Sequence, residues 1–328
     1  MHQPDPVLTA SLYSNRGLDE AVAGIVLPFR RELERSAPGT RWGIWLMRYS
    51  RGGEHLKVRL HGPPESRVLA ERILADASEL HFASPGGVPG GRDRISRPDA
   101  PPVDEDDDVE GDYPDRTLRW TRYARSHVSL GSKELLEDDR YVGLMTAAFC
   151  AGSSRLLDAV AHTGGSFPAS RRQGILLAAI VAGLAAAGLS ADERAEYLAY
   201  HRDWLVRWNI PDRERRAAAV AHFDLRLETM AASVEQVGCF ARRCWSGAGP
   251  ADAWGTAVGE LAIHLAGFRG DPAYDSDPFT SHPAFPPLFK VFHNLANALG
   301  VGMLDEALTH HLVLRGALFP AVTEEVPA

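Results

Sequence analysis

The stretch Arg48–His61 reads RYSRGGEHLKVRLH. Its second half alternates without a break. Successive strand residues point to opposite faces. Leu56, Val58 and Leu60 therefore make one apolar face, and His55, Lys57, Arg59 and His61 make a row of basic groups on the other. Pro63-Pro64 ends the run, and Arg51-Gly52-Gly53-Glu54 before it reads as a hairpin turn. The strand entering that turn, Arg41–Ser50, is apolar on both faces and is expected to be central. The basic row has two readings. It can be charge protecting an exposed hairpin edge. It can instead line a groove for a carboxylate, a phosphate or an acidic peptide, with Arg119, Arg122 and Arg125 as neighbours.

Working outward, Val7–Ser14 is rich in strand formers and reads as an entry strand. Leu18–Ser36 has helical apolar spacing with a kink expected at Pro28. Glu65–Phe82 is an amphipathic helix with Val68, Leu69, Ile73, Leu74 and Leu80 inward. Ser84–Asp115 holds SPGGVPGG and DEDDDVEGD and is expected to be an exposed acidic excursion. Thr117–Ser126 alternates again, with Leu118 and Trp120 on one face and Arg119, Thr121, Tyr123 and Arg125 on the other. Helices are expected over Asp139–Cys150, Ser153–His162, Arg171–Gly188, Ala191–Asn209, Arg213–Arg243, Ala251–Phe268, Pro286–Leu299 and Leu304–Leu314. Antiparallel strands first and helices afterwards give an α+β fold. It is read as a single domain over residues 1–328.

The 328 residues carry a net charge of −8, which argues against a general nucleic-acid coat. The longest apolar run, Ile175–Leu189, is shorter than the roughly 20 residues a bilayer span needs, so it reads as a buried helix. No secretory pattern opens the sequence, and the chain is expected in the cytoplasm, away from membranes. Cys150, Cys239 and Cys244 are too few and wrongly spaced for a disulfide framework or a zinc site, and are read as buried or partly buried free thiols.

No phosphate loop, dinucleotide fingerprint, HExxH or nucleophile elbow is present. Two constellations remain besides the basic row. In Ala124–Ser132, Ser129 and Ser132 either cap the following helix or aim donors at a carbonyl, with Asp138, Asp139 and Tyr141 close in sequence. In Lys290–Gly300, His293 and Asn297 are four residues apart on one helix face. His293 is the candidate for proton transfer near neutral pH. His310 and His311 read as ordinary helix-face residues.

The stretches WLMRYSRGGEHLKVRLHG, VSLGSKELLEDDRYVGL and FHNLANALGV resemble the thiopeptide-type bacteriocin biosynthesis family. That family is related to the C-terminal elimination domain of class I lantibiotic dehydratases. The resemblance runs from about Tyr13 to Leu318. It implies one of two activities: removal of glutamate from a glutamylated peptide, or joining of two dehydroalanines into a pyridine. Eliminases favour Arg at the position of Lys57 and an Arg in the terminal motif where this chain has Ala298. The resemblance therefore favours the pyridine synthase. It implies His293, Asn297, Ser129, Tyr141 and His55 as catalytic, and Arg48, Lys57, Arg59, Arg119, Tyr123 and Arg125 as substrate-binding. It implies no cofactor and no metal. The partner is a precursor peptide, its leader docking along Leu18–Ser36 and the sheet edge, with other enzymes of the pathway nearby. A third reading is a non-catalytic peptide scaffold.

Overall fold

The computed structural model describes residues 5–14, 17–49, 54–83, 94–95, 103–104, 117–123, 125, 128, 133–164, 167–248, 252–268, 280 and 282–318. The chain divides into two compact units, Met1–Pro168 and Ala169–Ala328. Among the described residues no helix is long and apolar enough to cross a membrane.

The first unit is built on a sheet. Its antiparallel core runs β2 (Gly43–Tyr49), β3 (His55–His61), β1 (Leu8–Tyr13) and β6 (Thr117–Arg122). Two short segments, β4 (Arg94–Ile95) and β5 (Val103–Asp104), pair parallel to β6. The rest of the expected acidic excursion, like the turn over 50–53, lies outside the described residues. The α+β order stands, and two placements change. β2 sits at one end of the sheet and β3 is interior, so β2 is not the central strand. The basic row is not an exposed edge either, because all seven residues of β3 are buried.

The apolar face of the sheet holds Leu8, Ala10, Leu12, Ile44, Leu46, Leu56, Val58 and Leu60, each under 5% exposed. Near it lie α1 (Leu18–Ala21), a π-helical turn (Val22–Val26) and α2 (Leu27–Ser36), which packs on α3 (Arg67–Ala83). The π-turn falls just before Pro28, whose missing N–H interrupts the helical ladder. On α3, Ile73 and Leu74 are buried as expected, with Ala70 and Phe82 beside them, whereas Val68 and Leu80 are 75% exposed. A five-residue helix, α4 (Lys133–Glu137), leads into α5 (Asp139–Thr163). α5 runs unbroken where two helices are expected. Ser153, at the expected break, is instead a contact: its Oγ donates to the Phe149 carbonyl and accepts the Leu46 N–H of β2, both at 2.9 Å.

The second unit is helical. Its elements are α6 (Ala169–Ala186), α7 (Ala191–Asn209), α8 (Arg213–Glu228), α9 (Ala231–Arg243), a π-helical turn (Cys244–Ala248), α10 (Ala253–Ala266), α11 (Phe285–Leu299) and α12 (Met303–Leu318). α7 starts where the sequence says, because Ser190 and Glu193 form a capping box. The expected Arg213–Arg243 helix breaks at Thr229–Met230, where the Thr229 hydroxyl donates to the Arg226 carbonyl at 2.7 Å. The apolar run of α6 is buried as expected. The three cysteines are free, but Cys239 is exposed.

α12 packs on α7, α9 and α6. Its approach to α9 is set by two glycines: a Cβ on Gly238 would lie 2.3 Å from the Gly316 carbonyl oxygen, a backbone atom that cannot swing away. Gly238→Ala is expected to lower the unfolding free energy by about 1–3 kcal/mol through overpacking. Gly174→Ala on α6, where nothing lies within 4 Å, is expected to raise it by up to about 1 kcal/mol. Urea titrations of the two variants check both signs.

Candidate active site

Three helices of the second unit each contribute a pair four residues apart: Tyr197 and His201 on α7, Phe289 and His293 on α11, Glu306 and His310 on α12. Residues at that spacing share a helix face. The faces meet around Glu306, whose side chain is wholly buried. Its Oε1 lies 2.8 Å from His201 Nε2 and its Oε2 lies 2.8 Å from His293 Nδ1. Tyr197 Oη lies 2.9 Å from His201 Nδ1. The His310 ring stacks on His201 with centroids 3.6 Å apart and planes 16° apart, and its Nδ1 lies 3.0 Å from the Glu306 carbonyl oxygen. Phe289 stacks on His293. His293 is the member that reaches solvent, with 29% of its side chain exposed.

The charges follow from burial and contact. Burial alone would raise the Glu306 carboxyl, but the two imidazoles override it and hold the group below the usual carboxylate range. Burial pushes His201 down, against the pull of Glu306. Burial also pushes His310 well down, and Tyr197 well up. Glu306 is therefore an anion, so both facing ring nitrogens donate to it. Neutral His201 then accepts the Tyr197 hydroxyl proton at Nδ1. His293 donates through Nδ1 and presents Nε2 outward, as a base when neutral and an acid when protonated.

His201, Glu306 and His310 each offer a ligand atom within 4.8 Å of the others. A ring nitrogen's lone pair lies in its ring plane, and two nearly parallel stacked rings cannot both aim at one point. The geometry suits stacking and hydrogen bonding better than chelation. His310 and His311 are both buried, so neither is an ordinary surface residue. His311 Nε2 lies 3.0 Å from Asp224 Oδ1, and its Nδ1 accepts from Arg202 at 3.0 Å.

Of the residues singled out in the sequence, His293 is central here. Its contact at Nδ1 is Glu306, which the sequence reading missed, as it missed Tyr197 and His201. Asn297 lies one turn further along α11 and is half-buried. The first unit holds the others. His55, Lys57 and Arg59 are fully buried, so the row is present but turned inward. Aromatic rings receive it: Lys57 Nζ lies 4.3 Å from the Tyr49 ring centre, and the Arg59 guanidinium lies 4.1 Å from Trp45 and 5.9 Å from Tyr123. His55 packs against Tyr13 and Tyr49. Arg48 pairs with Asp19, and Arg125 with Asp5 and Asp139. Arg119 is half-buried on β6. Tyr141 is buried in the first turn of α5, whose N-cap is Asp138. Ser129 and Ser132 lie outside the described residues.

The family profile for the C-terminal part of lantibiotic biosynthesis dehydratases matches residues 8–317. The chain belongs to this family. Among solved structures, the chain is similar to the pyridine synthase TbtD from thiomuracin biosynthesis, with 15% identity, a TM-score of 0.58, and coverage of 94% of this chain and 97% of TbtD. It is also similar to the tRNA-dependent lantibiotic dehydratase MibB from Microbispora sp. 107891, with 16% identity, a TM-score of 0.47, and coverage of 94% of this chain and 27% of MibB. No curated protein gives a significant sequence match.

The site makes stability depend on pH. His201, His310 and His311 sit below the ordinary 6.5 in the folded protein. The unfolded chain therefore binds these protons first. The stability they carry is complete above pH 6.5 and is lost as pH falls through the folded values; Glu306 adds the same sign below its ordinary 4.5. The unfolding free energy is expected to fall below pH 6.5 by up to about 1.4 kcal/mol per pH unit for each proton. The slope should be smaller in His310→Leu, as urea titrations across pH 5–7.5 would show.

Proposed function

We propose that this chain is a thiopeptide-type pyridine synthase acting on a leader-bearing peptide that carries two dehydroalanines. The observation that supports it most is the buried Glu306 carboxylate behind a partly exposed His293. One dehydroalanine supplies two carbons. The other, with its neighbouring amide as the imidic-acid tautomer, supplies C=C–N=C. Two carbon–carbon bonds form, nothing leaves, and a six-membered ring containing the amide nitrogen results. The ring hydroxyl then departs as water and the leader departs as a carboxamide, leaving the pyridine.

Each elimination takes one proton from a ring carbon and returns one to the leaving group. A single imidazole, base first and acid second, meets both needs without net change. Neutral His293 Nε2 takes the proton, Glu306 stabilises the imidazolium that forms, and the same proton goes to the hydroxyl or the amide nitrogen. Folding a long peptide so that its two dehydroalanines meet is the larger task, and it is one of positioning.

Ala298 supports the synthase over the glutamate eliminase. It is fully buried next to Asn297, where eliminases carry a guanidinium suited to a glutamyl carboxylate. Mass spectrometry of two peptides separates the readings. A linear bis-dehydroalanine peptide should lose water and leader carboxamide, and a glutamylated peptide should keep its glutamate. His293→Ala is expected to lower kcat by about 10²–10⁴-fold. Loss of glutamate would establish the eliminase. Binding of the linear peptide without turnover would establish a scaffold.

A further inference from the structure

The acid–base pair has a support behind it that the reaction itself does not require. We infer that Tyr197 and His201 are positioning residues, which fix the orientation and charge of Glu306 and, through it, of His293. The inference rests on His293 being the proton-transfer group of the proposed reaction, but its first test does not.

A buried carboxylate needs a donor at each oxygen. Glu306 has one at each: His201 at Oε1 and His293 at Oε2, both at 2.8 Å. The symmetry matters for His293. With Oε1 satisfied by a neutral donor, the anion's charge is shared between two partners. Without that donor, the carboxylate's only facing imidazole in this chain of contacts is His293, and its protonated form gains.

His201 can donate to Oε1 only in the tautomer that carries the proton on Nε2. The Glu306 carboxylate, which can only accept, selects that tautomer. Tyr197 Oη, 2.9 Å from Nδ1, then donates to the lone pair that this tautomer presents and strengthens the Nε2–H as a donor. The His201 ring plane is held as well. His310 stacks on it while its own Nδ1 is anchored on the Glu306 carbonyl, and Phe289 packs at 4.5 Å. Among the described residues, the titratable groups that act on His293 include Glu306 and His310 from α12 and His201 from α7, with Tyr197 behind His201. From α6, Arg172 reaches the Leu299 carbonyl at the C-terminal end of α11.

The test is an NMR titration of the His293 imidazole in protein labelled with ¹⁵N-histidine. In His201→Leu the midpoint is expected to rise by roughly 0.5–1 in pH, because Oε1 has lost its donor. His201→Gln carries a side-chain N–H near the place of Nε2 and should restore the wild-type midpoint. Tyr197→Phe should give an intermediate rise. A merely structural role would move stability but not this ordered series of midpoints. In turnover of the bis-dehydroalanine peptide, the acidic limb of kcat should move with the midpoint. Unchanged midpoints in His201→Leu and Tyr197→Phe, or a shift in His201→Gln as large as in His201→Leu, would overturn the inference. An unmoved midpoint with His293→Ala inactive sinks the support alone. A fully active His293→Ala sinks the proposed reaction and leaves the midpoint series to stand or fall separately.

Discussion

A carboxylate removed from water must be met by donors or it protonates. In the helical unit that constraint falls on Glu306, and much of the local structure follows from it. α7 supplies one donor, α11 the other, and α12 carries the carboxylate itself. The close approach of α9 to α12 through Gly238 and Gly316 sets where α12 lies. The arrangement leaves one imidazole nitrogen pointing away from the anion, on a side chain that reaches solvent. The proposed eliminations would use that nitrogen to move the proton.

The sheet unit also buries basic groups. All four basic side chains of β3 lie buried in the sheet interior. Rings from β1, β2 and the residue after β6 lie against three of them: Tyr13 on His55, Tyr49 on Lys57, Trp45 and Tyr123 on Arg59. Aromatic faces receive cations without carrying charge of their own. β2 can sit at the end of the sheet because α5 covers it, stacking Phe149 on Trp45 with centroids 4.4 Å apart and accepting the Leu46 N–H on Ser153.

Much of the fold was legible from side-chain period alone. The strands β3 and β6 and most of the helices follow from it. Alternation says which residues share a face but not whether that face meets water, so the row on β3 was left between an exposed edge and a groove wall, when the strand is interior and buried. The break expected before Ser153 is a contact point instead, where the Ser153 hydroxyl meets β2. In the site, His293 was legible from its type and spacing. Glu306, His201 and Tyr197 were not, because they come from three separate helices and each looks like a polar residue on a mixed face. The available signal was the repetition: Tyr-x3-His, Phe-x3-His and Glu-x3-His in one unit.

The site depends on Glu306 being an anion inside the protein. The most direct measurement is a ¹³C-carboxyl NMR titration of Glu306 in the folded protein. A carboxylate shift is expected to persist from neutral pH down to the onset of acid unfolding. A carboxyl resonance that titrates above pH 5, showing a proton on Glu306 while the fold is intact, would contradict it.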